Sequence, residues 1–230
     1  MNMNSNVAKV ASLVSEPSRA AILTALLDGR YHTVNELAHM ARIKPQTASF
    51  HLKKMLDAQV VSAEKQGRHR YYGIMNQEVA QVMESFLSIA PAAEIKSFKH
   101  ASEDKAIRFA RTCYDHLAGN LGVQLTESLK RKGFITEEDD TFNITEDGKA
   151  FFHSMQIDLT SLKKKRRSFS HKCLDWSERR HHLAGALGNA ILEKLLERNW
   201  IQRIPKTRAI KITPHGMKGL KETFAIDMDR

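Results

Sequence analysis

Apolar residues recur at helical spacing through much of the first 90 residues, and short polar turns separate these segments. Helix starts are marked by Pro17, by a capping box from Thr33 to Glu36 and by Pro45. Two stretches rich in β-forming residues flank the turn at 66–68. The pattern therefore predicts helices over residues 7–14, 17–27, 33–41, 45–57 and 77–89, and a hairpin with strands over 60–65 and 69–74.

This order of elements predicts a winged helix-turn-helix, in which two short helices joined by a tight turn precede a two-stranded wing. In the helix that opens at Pro45, Ala48, Leu52 and Met55 share one face and should be buried. The opposite face carries Gln, Ser and Thr, which can bond base edges, and lysines, which suit phosphates. We predict DNA contacts from Lys44, Gln46, Thr47, Ser49, Phe50, His51, Lys53 and Lys54 of the helix and from Arg68, His69 and Arg70 of the wing.

Two of these assignments have a plainer alternative. A polar helix face taken alone is more often only solvated, and it is the basic wing tip beside it that favours DNA. His51 lies next to the buried face, where it can either reach a phosphate or brace the helix.

Three segments resemble the ArsR-type winged-helix transcriptional regulators: SEPSRAAILTALLDG (15–29), VNELAHMARIKPQTASFHLKKMLDAQVV (34–61) and EKQGRHRYYGI (64–74). The resemblance covers roughly the first 90 residues. It implies a homodimer, commonly a repressor, that binds a partly palindromic operator and is released or retuned by an effector. It also implies that the first and fifth helices form the dimer interface.

The sequence departs from the ArsR-type pattern at the positions that usually bind a metal ion. Many ArsR-type proteins sense metals through Cys, His or Asp on the third or fifth helix. Here the third helix offers only His39, and the fifth offers only Glu78 and Glu84. This departure argues against a sensor of the ordinary metal type.

The rest of the chain contains an internal repeat with an offset of 66 residues, HLAGNLGVQLTESLKRKGFI (116–135) and HLAGALGNAILEKLLERNWI (182–201). Each copy follows a cysteine, and each leads through a β-like stretch to a Thr-x-x-Gly step, at 145–148 and 213–216, that opens a last helix. We therefore predict a mainly α chain with small β-hairpin wings. A winged helix-turn-helix occupies residues 1–93, and residues 94–230 form two related helix–hairpin–helix modules, about 99–157 and 158–230, with the boundary at 91–93.

The net charge of +10 indicates a polyanionic partner. Residues 158–230 carry 17 basic and 8 acidic side chains, whereas residues 1–95 carry 10 and 8. The prediction of DNA binding for the first domain therefore depends on its residue pattern and not on its charge.

The two cysteines of the chain, Cys113 and Cys173, precede the repeated histidines His116 and His182. On a helix, Cys113 and His116 would lie one turn apart, and the second repeat could complete a site if the repeats face each other. Buried packing is the plainer explanation, because Cys113 would then align with Phe109. We predict no metal, and a metal- or thiol-sensing site at Cys113, His116, Cys173 and His182 is the alternative.

The main hypothesis for the extension is a small organic or anionic effector held between the two repeats. Residues 175–180 have no counterpart in the first repeat, and they place Trp176 beside Arg179 and Arg180. An aromatic face next to guanidinium groups suits a planar or carboxylated ligand. The alternative is that Trp176 packs in the core, both arginines are solvated and the extension only stabilises the dimer.

Other function classes have little support in the sequence. Gly-rich phosphate loops, GxSxG and HExxH are absent, so we predict neither an enzyme nor a bound cofactor. No apolar run is long enough for a membrane span, and residues 1–14 lack a secretory signal pattern, which together with two cysteines predicts a cytoplasmic protein. A nonspecific architectural DNA protein remains as an alternative that the base-edge residues at 46–49 disfavour.

Overall fold

The computed structural model describes residues 7–91 and 97–227. The chain divides into two compact units, unit 1 (Met1–Glu84) and unit 2 (Ser85–Arg230). The domain boundary that the sequence predicts lies a few residues later, and two of its residues, Ala92 and Ala93, fall outside the described residues.

Unit 1 has the predicted order of helices and hairpin. It contains α1 (Val7–Val14), α2 (Pro17–Leu26), β1 (His32–Thr33), α3 (Val34–Met40), α4 (Pro45–Asp57), β2 (Val61–Gln66) and β3 (His69–Ile74), and α5 (Gln77–Ile89) continues from it into unit 2. The strands form an antiparallel sheet in the order β1-β3-β2. The sequence did not predict β1, which has two residues and pairs with Tyr71 and Tyr72.

Local capping explains where the helices of unit 1 begin. Glu16 caps α2 by accepting bonds from the backbone N–H groups of Ser18 and Arg19. Thr33 caps α3 in a capping box with Glu36, as predicted. The core then forms from the apolar faces of these helices and the first residue of β2, and these side chains are at most 1% exposed: Ile22, Leu23, Leu26, Leu27, Leu37, Ala48, Leu52, Met55 and Val61.

Unit 2 confirms a mainly α chain with small hairpins. Its elements are α6 (Phe98–Phe109), β4 (Arg111–Cys113), β5 (His116–Ala118), α7 (Gly119–Arg131), β6 (Ile135–Glu138), β7 (Thr141–Ile144), α8 (Glu146–Ser154), α9 (Leu159–Lys163), β8 (His171–Leu174), β9 (His181–Ala184), α10 (Gly185–Glu197), β10 (Ile201–Arg203), β11 (Ile210–Ile212) and α11 (Pro214–Phe224). The strands pair as four antiparallel hairpins, β4-β5, β6-β7, β8-β9 and β10-β11.

Each repeat contains one hairpin more than the sequence predicts. The chain passes from a first hairpin into a long helix, then through a second hairpin into the last helix. The expectation that Cys113 and His116 lie one helical turn apart is therefore wrong. They are paired across the hairpin β4-β5, and Cys173 is paired with His182 across β8-β9.

Glycine makes the step from strand to helix possible in both repeats. Gly119 and Gly185 open α7 and α10 with φ values of 77° and 82°, which side chains of L-residues rarely adopt. A Cβ on Gly119 would also lie 2.7 Å from the carbonyl oxygen of Arg108. The core of unit 2 packs around these two helices, with Leu121, Leu187 and Leu192 fully buried.

Candidate functional site

Helix α4 presents the face that the sequence predicts for DNA. Ala48, Leu52 and Met55 are fully buried, as expected. The predicted contact residues on the other face are exposed: Lys44, Gln46, Thr47, Ser49, Phe50, Lys53 and Lys54. Lys54 Nζ lies 4.4 Å from the centroid of the Phe50 ring, so an apolar surface and a cation are presented together.

His51 is an exception, because it is buried whereas the other predicted contact residues of α4 are exposed, and its contact with DNA stays a prediction. The side chain is buried, and its Nε2 lies 3.4 Å from the carboxylate of Glu16. Because Glu16 caps α2, His51 braces α4 against the start of α2. This is the second of the two roles that the sequence left open.

The tip of the wing is exposed and basic. Gly67 turns the chain with a φ of 59°, and Arg68, His69 and Arg70 follow on the exposed end of the hairpin. Arg70 also lies over the ring of Tyr72, with 5.5 Å between the guanidinium carbon and the ring centroid. The wing can therefore offer two cations to the phosphate backbone.

Helices α1 and α5 expose apolar side chains. Val7 and Val10 of α1 are 73% and 47% exposed. Val82, Phe86 and Ile89 of α5 are 51%, 41% and 77% exposed. The last three follow one another at i, i+4 and i+7 and so share one face of α5.

Unit 2 brings together one sulfur and one imidazole from each repeat. The four side chains Cys113, His116, Cys173 and His182, called the Cys–His cluster below, place one potential ligand atom each within 4.8 Å of all the others. The two Sγ atoms are 3.7 Å apart, and the two Nε2 atoms are 3.1 Å apart. Three of the side chains are buried, and Cys173 is half-buried.

A carboxylate lies behind each histidine of the cluster. Asp115 Oδ1 is 3.4 Å from His116 Nδ1, and Arg167 binds the same carboxylate through both of its terminal nitrogens. Asp175 Oδ2 is 3.6 Å from His182 Nδ1, which is longer than a hydrogen bond. The same Asp175 oxygen accepts bonds of 2.9 Å from Arg111 and 2.7 Å from the backbone N–H of Gly119.

These surroundings set the protonation of the two histidines. Burial lowers the pKa of His116, but Cys113 and Asp115 outweigh it and raise the pKa to about 9. Burial and the positive charge of His116 together hold the pKa of His182 well below 6.5. Burial raises the pKa of Asp115, and its bonds with His116 and Arg167 reverse this and lower the pKa to about 2. At neutral pH His116 is therefore the protonated member of the pair and His182 the neutral one.

The predicted effector residues are arranged differently from what the sequence suggests. The cations over the Trp176 ring are Arg108 and Arg111, at 5.1 and 4.3 Å from its centroid. Arg179 instead donates to the backbone carbonyl of Ser88, and Arg180 lies 3.3 Å from the carboxylate of Glu127. An effector site at Trp176, Arg179 and Arg180 stays a prediction.

A groove of about 1230 Å³ lies elsewhere in unit 2. Its walls come from β7, α8, α9 and residues 168–170, and they include Phe142, Leu159, Phe169, His153 and Lys163. Trp176 is not among the lining residues.

Sequence reasoning found the four residues of the Cys–His cluster but missed most of the groups behind them. Arg111 and Arg167 reach their carboxylates across 64 and 52 residues, a distance over which no local pattern operates. One signal was available, because Cys-x-Asp occurs in both repeats, at Cys113 to Asp115 and at Cys173 to Asp175.

None of the helices within the described residues has the length and apolar character that crossing a bilayer requires.

Part of the chain matches a family model and several solved structures. Residues 14–62 match the model of a helix-turn-helix domain. NolR from Sinorhizobium fredii is 24% identical in a structural match that covers 40% of this chain and 100% of that chain, with a TM-score of 0.35. The homodimeric winged helix-turn-helix domain of Mb0332 from Mycobacterium bovis, a possible ArsR-family transcriptional regulator, is 26% identical over 36% of this chain and 83% of that chain, with a TM-score of 0.32.

A relative of known class matches almost the whole chain. The uncharacterized HTH-type transcriptional regulator YdfF of Bacillus subtilis (strain 168) is 54% identical over 214 residues, which are 93% of this chain and 95% of the relative. The similarity therefore includes the repeats as well as the helix-turn-helix. On this similarity the chain belongs to the HTH-type transcriptional regulators, as its resemblance to the ArsR-type regulators predicts.

Proposed function

We propose that this regulator is a cytoplasmic, homodimeric repressor that reads its operator with α4 and the wing, and that unit 2 makes operator binding responsive to an effector. The observation that carries the proposal is the division of α4 into a fully buried face and an exposed face of polar and basic side chains. Gln46, Thr47 and Ser49 lie in the first turns of α4. In a helix-turn-helix the first turns of the recognition helix are the part that meets base edges.

The positively charged groups have a different role in this proposal. Lys53 and Lys54 lie later on α4, and Arg68 and Arg70 lie on the wing, where they suit phosphate oxygens. Phosphate contacts position the protein without reading sequence, and their contribution falls as salt rises. The proposal therefore separates residues that give specificity from residues that give affinity.

The homodimer is supported by the exposed apolar face of α5 and by Val7 and Val10 of α1. A row of large apolar side chains facing water is unfavourable, and a second copy of the chain would cover it. Two copies related by a two-fold axis would present two reading helices to the two halves of a palindromic operator.

The test compares two pairs of substitutions in the full-length chain on an operator selected from random DNA. Gln46→Ala and Ser49→Ala should each lose about 1–3 kcal/mol of discrimination against a changed base pair. Arg68→Ala and Arg70→Ala should weaken binding to all sequences alike and lower the salt slope by about one for each lost phosphate contact. Titration by fluorescence anisotropy at several salt concentrations measures both quantities.

Lys218→Ala is the control, because it removes an exposed lysine from α11 of unit 2. If all four variants matched Lys218→Ala in specificity and in salt slope, α4 and the wing would not be the reading surface.

A further inference from the structure

We propose that the Cys–His cluster is a tetrahedral binding site for a divalent transition-metal ion of the zinc class, and that this ion is the effector of the regulator. The second half of this statement rests on the proposed function. The first half concerns only the chemistry of unit 2 and stands without it.

Two distances within the cluster match edges of a coordination tetrahedron. Zinc binds sulfur at about 2.3 Å and imidazole nitrogen at about 2.0–2.1 Å, so the ligand atoms of a tetrahedral site lie about 3.8 Å apart for two sulfurs and about 3.3 Å apart for two nitrogens. In the cluster the sulfurs of Cys113 and Cys173 are 3.7 Å apart, and Nε2 of His116 and Nε2 of His182 are 3.1 Å apart. Two thiolates and two imidazoles are a ligand set typical of structural zinc sites.

The histidine rings are oriented for this role. The two Nε2 atoms face each other, and each Nδ1 has a carboxylate near it. Asp115 Oδ1 lies 3.4 Å from His116 Nδ1, within hydrogen-bond distance, and Asp175 Oδ2 lies 3.6 Å from His182 Nδ1, just beyond it. A carboxylate behind Nδ1 is the arrangement that orients metal-ligating histidines and makes them better ligands. Each carboxylate is in turn paired with an arginine, so the outer groups add little net charge.

Charge balance favours a divalent ion in this buried position. Two thiolates and two neutral imidazoles carry a charge of −2, which one divalent cation neutralises. Uncompensated charge is costly away from water, so the ion would stabilise the buried site. Cys173 is half-buried and marks the side of the cluster from which an ion can enter.

The two repeats are interlocked at the cluster. A Cβ on Gly188 would lie 3.2 Å from Cβ of His116, and a Cβ on Gly122 would lie 3.9 Å from Cβ of His182. The helix of each repeat thus packs against the histidine of the other. Metal binding ties both repeats together, which gives the ion a means of changing the packing of unit 2.

A redox switch in which Cys113 and Cys173 form a disulfide is the main rival. The two sulfurs are 3.7 Å apart, a normal contact between reduced thiols, so their distance alone fits either site. A disulfide, however, gives no role to the two histidines that meet beside the sulfurs. The metal site uses all four side chains, and for that reason we favour it.

The first experiment measures metal binding by the full-length chain with reduced thiols. Co²⁺ should bind at one ion per chain and give the visible bands and sulfur-to-metal charge transfer of a tetrahedral thiolate site, and Zn²⁺ should displace it. Cys113→Ser, His116→Gln, Cys173→Ser and His182→Gln should each lower Zn²⁺ affinity by more than about 100-fold. Asp115→Asn should lower it by about 10–100-fold, the usual effect of losing an outer carboxylate.

His181→Gln is the matched control, because His181 is an exposed neighbour of His182 in the same strand. It should bind Zn²⁺ as the parent does. Absence of Zn²⁺ binding by the reduced parent, or equal binding by His182→Gln and His181→Gln, would overturn the proposal.

A second measurement avoids variants that fail to fold. Zn²⁺ should slow the alkylation of Cys173 in the parent chain and should prevent an oxidant from linking Cys113 to Cys173. Equal alkylation and equal crosslinking with and without Zn²⁺ would contradict a metal site and favour the thiol pair.

Operator binding separates the two halves of the proposal. Operator affinity should change at least tenfold on adding Zn²⁺ to the parent and should not change for His182→Gln. If Zn²⁺ binds at the cluster and operator affinity stays constant, the metal site stands and the effector role is refuted. If the chain binds no operator under any condition, the proposed function fails while the metal measurements still decide the site.

Discussion

Arg111 and Asp175 form an ion pair in unit 2 in which both side chains are 0% exposed. Removing one member of a buried pair leaves an uncompensated charge, which typically costs 3–5 kcal/mol. We therefore expect Arg111→Met to lower the free energy of unfolding of unit 2 by about 3–5 kcal/mol. Both tryptophans, Trp176 and Trp200, lie in unit 2, so urea denaturation followed by tryptophan fluorescence measures this unit selectively.

An exposed ion pair provides the comparison. Lys149 and Glu146 are 51% and 87% exposed, and Lys149→Met should cost at most about 1 kcal/mol. If the two substitutions lowered the free energy of unfolding equally, the buried pair of Arg111 and Asp175 would contribute no more to stability than an exposed pair does.

Unit 1 contains a buried carboxylate that links stability to pH. Burial raises the pKa of Asp28, but its hydrogen bond with His32 and the charge of Arg30 outweigh this and hold the pKa below 3.8. A depressed carboxyl pKa stabilises the fold above the unfolded-state pKa, and this stability is lost as the pH falls through the folded-state value. Asp28→Asn should therefore lower the stability of unit 1 at pH 7 and flatten its decline at acid pH.

Far-UV circular dichroism during urea unfolding at pH 7, 5 and 3 follows the helices of both units, and tryptophan fluorescence of the same samples identifies the transition of unit 2, so the remaining transition reports on unit 1. Asp57→Asn, at the exposed end of α4, is the control. The same decline with pH in Asp28→Asn and in the parent would show that Asp28 is not responsible.

At the scale of elements, the last helix of each repeat begins with the same cap. The side chains of Thr145 and Thr213 accept bonds of 3.0 and 2.8 Å from the N–H groups of Gly148 and Gly216. Loss of such a cap costs about 0.5–2 kcal/mol, and serine can replace threonine in this role. Thr213→Ala should destabilise unit 2 by about 1 kcal/mol in the fluorescence assay, and Thr213→Ser should restore most of it.

Thr160→Ala in the exposed part of α9 tests whether any lost threonine has this effect. If Thr213→Ser did not recover stability, the packing of the threonine methyl group, and not the capping hydrogen bond, would be the source of the stability at this position.

The same elements show what could be predicted from the sequence. The caps at Thr33, Thr145 and Thr213 were predictable because a cap involves residues only three positions apart. The hairpins around Cys113 and Cys173 were not, because Cys-x-x-His suits both a helical turn and a tight hairpin. In these hairpins His116 and His182 each pack against the helix of the other repeat, and a local sequence pattern does not contain such contacts.

At the candidate site, too, contacts between residues far apart in the sequence could not be predicted. The repeat indicated which four side chains belong together, but it did not indicate that Arg111 is fully buried or that Arg167 holds Asp115. His51 was ambiguous for a related reason, because its role depends on the distant residue Glu16.

For the whole molecule, the exposed face of α5 predicts how the chain associates. Phe86→Glu places a charge among Val82 and Ile89, where a second copy would otherwise bury apolar surface. We expect it to raise the dimer dissociation constant by about 30-fold or more, as for a central interface residue. Sedimentation of the full-length chain over a range of concentrations measures this constant.

Gln81→Glu introduces the same charge on an exposed neighbour in α5 and serves as the control. Equal dimer dissociation constants for the two variants would exclude this face of α5 as the interface. In Phe86→Glu, operator affinity should fall together with dimer affinity.

The shared cluster has an evolutionary consequence. Each repeat supplies one cysteine and one histidine, so neither repeat alone holds all four side chains. Duplication of one segment within a gene produces an internal repeat of this kind. The two copies need not stay identical, and here one second hairpin is acidic at 137–140 while the other carries Arg203, Lys206, Arg208 and Lys211. A substitution at the shared cluster, in contrast, affects both copies at once, so we expect the cluster to tolerate less change than the hairpins.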